Sequence, residues 1–275
     1  QKQMLATASA DKTIKLYKRN EIFVDVLQGH LSSIKAVAFS PDSKEIASAS
    51  NDGTIKRWST NSNFLKSLDI EKTGFRDVVF SPNNQLIAAA NDNKKIKIWR
   101  RDGSLFRTWQ AHSDKLTSVV FSPNSQIIAT ASDDATVKLW KLDGSRIQTL
   151  NGHQASVQSI AFSPDGQMIA SASQDRTVKL WKRTSNSPSF ILYKTMQEND
   201  WFESVQFSPD GQIIATGNAD NNVQIWSLDG KLLNTFKDHN GEVWSVSFSP
   251  DGKTIASASA DKTIKPVSYT HLRAH

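Results

Sequence analysis

The side chains best equipped for chemistry in this chain are its six histidines, His30, His112, His153, His239, His271 and His275, together with a recurring set of aspartates. Imidazole with carboxylate neighbours suggests a zinc site or acid–base catalysis, because a neutral ring nitrogen binds metal and the ring titrates near neutral pH. The spacing argues against both. His30, His112, His153 and His239 hold the same place in a repeated unit, and so do Asp11, Asp52, Asp134, Asp175, Asp220 and Asp261. A residue that returns in unit after unit serves the unit rather than one reaction centre. Asp92-Asn93 and Asp133-Asp134 lack the ligand spacing of a calcium loop. The sequence has no cysteine, which excludes disulfides and thiolate metal sites. It also has no phosphate-cradling glycine loop, no Gly-x-Ser-x-Gly elbow and no paired carboxylate outside the repeats. The expectation is a protein that is no enzyme and takes no cofactor and no metal.

The elements that must position these residues follow from the repeat. Phe-Ser-Pro begins at Phe39, Phe80, Phe121, Phe162, Phe207 and Phe248, at intervals of 41, 41, 41, 45 and 41 residues. A second aromatic series, Tyr17, Trp58, Trp99, Trp140, Trp181 and Trp226, lengthens between the same two units. One insertion, Thr184 to Ser189, explains both. Within a unit, Leu116 to Phe121, Ile127 to Ser132, Thr136 to Lys141 and Arg146 to Asn151 read as four short strands separated by turn residues. Strands joined by tight turns are antiparallel. A lone four-stranded sheet cannot bury both faces, so sheets of this period are expected to pack side by side around an axis, as blades of a β-propeller. The Ala- and Ser-rich second strand, as in Ile46-Ala47-Ser48-Ala49-Ser50, suits close approach near that axis.

The blade boundaries follow: 1–29 in part, 30–70, 71–111, 112–152, 153–197, 198–238, and 239–265 in part. The first lacks its innermost strand. The last breaks off inside its third, where Pro266-Val267 replaces the expected Leu-Trp, so 266–275 reads as a non-repeat tail of foreign sequence. The expected class is all-β, a propeller of four-stranded antiparallel blades, seven rather than six, with the first and last incomplete.

These residues resemble the WD-repeat family over about 265 of the 275 positions. Gly29-His30 and Gly152-His153 match its Gly-His pair, while Ala111-His112 and Asp238-His239 keep the histidine. The Asp that should follow each Trp is absent, replaced by Lys18, Ser59, Arg100, Lys141, Lys182 and Ser227. The resemblance implies a hydrogen-bonded network in each blade: His30, Ser48, Asp52 and Trp58; His112, Thr130, Asp134 and Trp140; His153, Ser171, Asp175 and Trp181. Blade 71–111 has Glu71, Ala89 and Asn93 instead, and blade 198–238 has Glu198 but keeps Thr216, Asp220 and Trp226. Those two blades are expected to be the more mobile.

The repeats are also similar to those of regular bacterial, especially cyanobacterial-type, signalling proteins. That likeness implies a scaffold or sensor propeller, a fragment joined to further domains in a larger cytoplasmic protein. The alternative is a propeller enzyme or periplasmic component with a ligand in its central channel. Partners of WD-repeat propellers often bind the face formed by the loops before the first strand and between strands two and three. Three residues after the histidine place stand Ser33, Gly74, Lys115, Ser156, Trp201 and Glu242. Five after it stand Lys35, Arg76, Thr117, Gln158, Glu203 and Trp244. Aromatic residues and arginine are the usual interface anchors. A protein or peptide partner is therefore expected at Trp201, Trp244, Arg76 and Glu203, with Lys115 and Lys35 beside them.

The net charge is +6. The lysines that supply much of it, Lys15, Lys56, Lys97, Lys138, Lys179 and Lys265, recur two residues before the aromatic place. They read as strand positions whose stems pack while their amines reach water. Lys94, Lys95, Lys97, Arg100, Arg101 and Arg107 divide between opposite ends of one blade, so a nucleic-acid groove is not expected. No apolar run approaches the ~18 residues of a membrane span.

Overall fold

A computed structural model describes residues 4–18, 22–185 and 189–269. Its strands form seven antiparallel sheets, five of four strands and two of three, with no helix among the described residues. Within every sheet, strands adjacent in sequence are adjacent in space. The fold class is the seven-bladed β-propeller, one sheet to a blade.

The recurring Phe-Ser-Pro explains itself at the first turn of each blade. The Ser40 hydroxyl donates to Asp42 and accepts the Glu45 amide at 2.9 Å, closing the turn between Ile34–Phe39 and Glu45–Ser50. The same serine-to-amide bond recurs at Ser81, Ser122, Ser163, Ser208 and Ser249. The turn places one residue at positive φ: Gly166, Gly211 and Gly252 in three blades, and Ser43, Asn84 and Ser125 in three others. Glycine meets that demand without a Cβ penalty, which is why Asp-Gly recurs there.

The chain divides into two compact units, Gln1–Thr130 with Trp140–Ser145, and Ala131–Leu139 with Arg146–His275. In the first, Ala47, Ala49, Ile55, Phe75, Val78, Ile87, Ala89 and Trp99 form one buried cluster between neighbouring sheets. Ala88, Ala90, Ile96, Ile98, Leu116 and Trp140 belong to another. In the second unit Ala170, Ala172, Leu180, Phe202, Ile214 and Trp226 pack in the same manner. The alanines of the second strands in the four-stranded sheets are fully buried, so small side chains there let one sheet approach the next.

The first sheet consists of Met4–Ala8, Thr13–Lys18 and Phe23–Gln28. The last consists of Val243–Phe248, Thr254–Ser259 and Ile264–Ser268. Here the structure differs from the expected break after Lys265. Pro266 pairs with Ala256 and Val267 with Ile255, so the third strand continues in register. Val267 takes the place that Trp58 holds opposite Ile46. Pro266 is tolerated because this strand is the sheet's edge, where a missing N–H breaks no ladder. Tyr269 is wholly buried, edge-on to Phe248, with its hydroxyl donating to the Gly252 carbonyl at 2.5 Å. His271 and His275 lie outside the described residues. So do 186–188 of the insertion, whose ends are closed by the Thr184 amide bonded to the Ser189 carbonyl at 2.9 Å.

Candidate functional site

Four of the histidines are built into polar chains inside their blades. In blade 30–70, Trp58 Nε1 donates to Ser48 Oγ at 2.9 Å. Ser48 Oγ lies 2.7 Å from His30 Nε2, and His30 Nδ1 lies 2.9 Å from Asp52 Oδ2. Asp52 also accepts the Leu31 amide at 2.7 Å and the Thr54 hydroxyl at 2.6 Å. Blade 153–197 repeats this with Trp181, Ser171, His153 and Asp175. The last blade repeats it with Ser257, His239 and Asp261, but without a tryptophan. His112 Nε2 lies 2.8 Å from Thr130 Oγ1, which accepts Trp140 Nε1 at 2.9 Å. Asp134 caps its turn by accepting the Thr136 hydroxyl at 2.6 Å.

A serine, a histidine and an aspartate in hydrogen-bonded sequence is the arrangement that activates a nucleophile. Its surroundings give it another role here. Ser48 is 0% exposed and His30 is 5% exposed, so no substrate carbonyl reaches the hydroxyl. The Ser48 oxygen is further occupied by the Trp58 N–H. Burial lowers the His30 pKa, outweighing the opposing pull of Asp52, so the ring stays neutral and its Nδ1–H donates to the carboxylate. Burial works against ionisation of Asp52, but bonds from Thr54, the Leu31 amide and His30 outweigh it and lower its pKa to about 2. The polar side-chain atoms of His30, Ser48, Asp52 and Trp58 all have partners, which rigidifies the loop-to-strand junction.

The two blades without histidine hold something else in its place. Phe75 is fully buried and stands edge-on to Trp99, with ring centroids 6.3 Å apart. Phe202 does the same to Trp226 at 6.4 Å. His30 and His153 sit 6.2 and 6.5 Å from their tryptophans. A phenylalanine four residues downstream thus fills the space beside the indole. Sequence reasoning missed this, although Phe75 and Phe202 replace aliphatic residues only in the two blades that lack the histidine. Glu71 turns to Lys97, which also holds Asp69 at 2.5 Å. Thr216 still accepts Trp226 Nε1 at 3.0 Å, while Asp220 is exposed.

The repeated lysines differ from the expected solvated position. Lys179 is buried and donates to Thr195 at 3.2 Å, and Lys56 donates to Ser67 across the strand pair. Burial opposes the Lys97 charge, yet Asp69 and Glu71 raise its pKa. Among the other cations of that blade, Arg101 bonds Glu45 at 2.8 Å and Arg107 reaches the Asp143 carbonyl.

At the expected partner positions the structure separates two groups. Lys35 and Lys115 are exposed, and half-buried Arg76 bonds Asp92 at 2.7 Å; all three belong to the first compact unit. Trp201, Glu203 and Trp244 belong to the second, on neighbouring blades. Trp201 is 39% exposed and Trp244 55%, whereas the repeat tryptophans are at most 6% exposed. The two blades carry mirrored pairs. Trp201 precedes Glu203, whose carboxyl it helps to keep ionised; Glu242 precedes Trp244 and accepts its indole N–H at 3.1 Å. Burial and the nearby Glu242 push the Glu203 carboxyl above its usual range, against the Trp201 bond. Glu242 was not singled out from sequence; its signal was the reversed order of the same two residue types.

A family model described as the IFT122 first beta-propeller matches residues 74–265. A model described as WD domain, G-beta repeat matches residues 22–59. No curated protein matches the chain significantly.

Proposed function

Because the chain belongs to the IFT122 first beta-propeller family, a WD-repeat propeller family, we propose that it is a protein-binding platform without chemistry of its own, docking a partner on the loops and strands that carry Trp201 and Trp244. The observation that carries this reading is the exposure of those two indoles beside five tryptophans that are sealed into blades. An exposed indole keeps apolar area in water that a partner covers, and tryptophan is the residue most enriched among interface anchors. The buried state of the Ser48–His30–Asp52 chain removes the most enzyme-like arrangement from consideration as a reaction centre. No helix among the described residues is long and apolar enough to cross a membrane.

Selection from a display library of random linear peptides, followed by titration of the selected sequences, tests the proposal. Peptides are expected to bind the wild-type chain and to lose at least about tenfold in affinity on W201A/W244A, some 1.4 kcal/mol, with the thermal midpoint unchanged. Selected peptides that bind the double variant undiminished would place docking elsewhere.

A further inference from the structure

We infer that the surface formed by Trp201, Glu203, Glu242 and Trp244 recognises an arginine side chain of the partner. The inference rests on the docking reading above and narrows its chemistry. Two observations bring these residues together: Glu242 accepts the Trp244 indole N–H, and the packed strands Phe202–Phe207 and Val243–Phe248 of adjoining blades, each directly following Trp201 or Glu242, place Glu203 close enough to Glu242 to feel its charge. The Trp244 indole N–H is already spent on Glu242, so that ring has only its face to offer, and the exposed Trp201 ring offers a second face beside it. A ring face carries negative charge density and attracts a cation. Glu242 uses part of its acceptor capacity on an indole and keeps the rest, and Glu203 keeps its own. Neither has a cation partner among the described residues.

The elements present therefore ask for one ligand that is planar, cationic and rich in donors. A guanidinium stacks on indole and donates a fork of N–H groups to carboxylate, which the compact, strongly hydrated lysine ammonium does less well. It would also relieve the repulsion between two glutamates that face each other with no counter-charge. The chain as a whole carries +6, so its overall charge does not draw a basic peptide, and any preference for arginine must arise locally.

The test is NMR titration of the two indole N–H resonances, assigned with W201F and W244F, using the probes Ac-Gly-Arg-Gly-NH2, its lysine counterpart and its citrulline counterpart. Citrulline keeps the shape of arginine and removes the charge. The arginine peptide is expected to shift both resonances saturably, with at least about tenfold weaker binding for the citrulline peptide and for E203Q/E242Q, and weaker binding for lysine. Equal binding of the citrulline peptide, or an E203Q/E242Q variant that binds arginine as tightly as wild type, overturns the inference. So does the absence of any shift with arginine. If library-selected peptides still need Trp201 and Trp244 but carry no arginine, docking stands and only the arginine assignment falls.

Discussion

Phe75 lies edge-on to Trp99, ring planes at 63°, in the blade where Glu71 stands in the histidine place. The repeat thus keeps the space beside its tryptophan filled by either of two means, a hydrogen-bonded imidazole or an apolar ring. The second means stakes stability on packing alone. Truncating a fully buried phenylalanine removes its transfer energy and leaves a cavity, about 3–5 kcal/mol together. Phe75→Ala is expected to lose that much in urea unfolding, and Phe202→Ala a similar amount.

The same substitution bears on the mobility expected of blades 71–111 and 198–238. That expectation counted lost hydrogen bonds and not the rings. Both blades do carry buried polar atoms without a partner, Asn91 Nδ2 and Asn93 Oδ1 in one, Ser204 Oγ and Gln224 Oε1 in the other. The strands Leu86–Asn91 and Lys95–Arg100 nevertheless keep Ala88, Ala89, Ala90, Ile96, Ile98 and Trp99 almost wholly buried. Local opening follows buried apolar contact more than any single bond. Amide exchange in these strands is expected within about tenfold of that in Glu45–Ser50 and Thr54–Ser59, about 1.4 kcal/mol in opening free energy. Much faster exchange would show that the polar chain, not the packing, holds a blade shut.

The polar chain itself makes stability depend on pH in one direction. His30 has a lowered pKa in the fold, so protonation favours the unfolded chain. Its contribution is complete above the unfolded histidine value, about 6.5, and declines as pH falls through that value. Asp52 is lowered to about 2. Its contribution is complete above the unfolded aspartate value, about 3.9, and is lost as pH falls from there toward 2. The urea midpoint is expected to be flat from pH 8 to 7, then to fall in two stages. His30→Gln should flatten the upper stage; an unaltered profile would remove His30 from it.

Periodicity made the fold legible, because a 41-residue spacing leaves little choice but a repeated small sheet. Periodicity also showed that His30, Ser48, Asp52 and Trp58 return at constant offsets, but that they bond to one another was implied by the resemblance to the WD-repeat family. What a repeat hides is compensation between positions that depart together. Glu71 looked like a lost histidine, and only its pairing with Lys97 shows what it does. Pro266-Val267 looked like the end of the pattern, because a strand set by its partner's register tolerates residues that propensity rejects. Trp201 and Trp244 stood out because they fall outside the repeat series. Their joining through Glu203 and Glu242 needed coordinates.

Arg57 is a further departure of this kind. It stands where other blades place Leu16, Ile98, Leu139, Leu180 or Ile225, and is 8% exposed. Glu45, at a place otherwise held by Leu86, Ile127, Met168, Ile213 or Thr254, accepts two of its N–H groups, at 2.9 and 2.6 Å. An ion pair has replaced an apolar pair. Breaking one partner of a buried pair costs about 3–5 kcal/mol, whereas replacing both with apolar residues is often neutral. Arg101 still holds Glu45 when Arg57 is removed, so R57L is expected near 3 kcal/mol. R57L/E45L should recover most of that loss in denaturant unfolding. A double variant as unstable as R57L would mean that Arg101 depends on Glu45 for its own placement.

Gly217 marks a close approach between two blades of the second unit. Other blades have Ala49, Ala90, Ala131, Ala172 or Ala258 at this place, so alanine looks harmless from sequence. A Cβ on Gly217 would meet the Val243 carbonyl oxygen at 2.6 Å and the Val243 Cγ1 at 2.7 Å. The side-chain atom can turn away, but the carbonyl is backbone and its strand is held by pairing along Val243–Phe248. Alanine in a strand gains from the entropy that glycine loses, about 0.5–1 kcal/mol. The overpacking it forces here costs about 1–3 kcal/mol. The second effect is the larger, so Gly217→Ala is expected to lower stability by about 1–2 kcal/mol. It should also displace the strand that carries Trp244, visible as a shift of that indole N–H resonance. A variant at least as stable as wild type, with the resonance unmoved, would mean that the neighbouring blade yields freely and that the glycine is incidental.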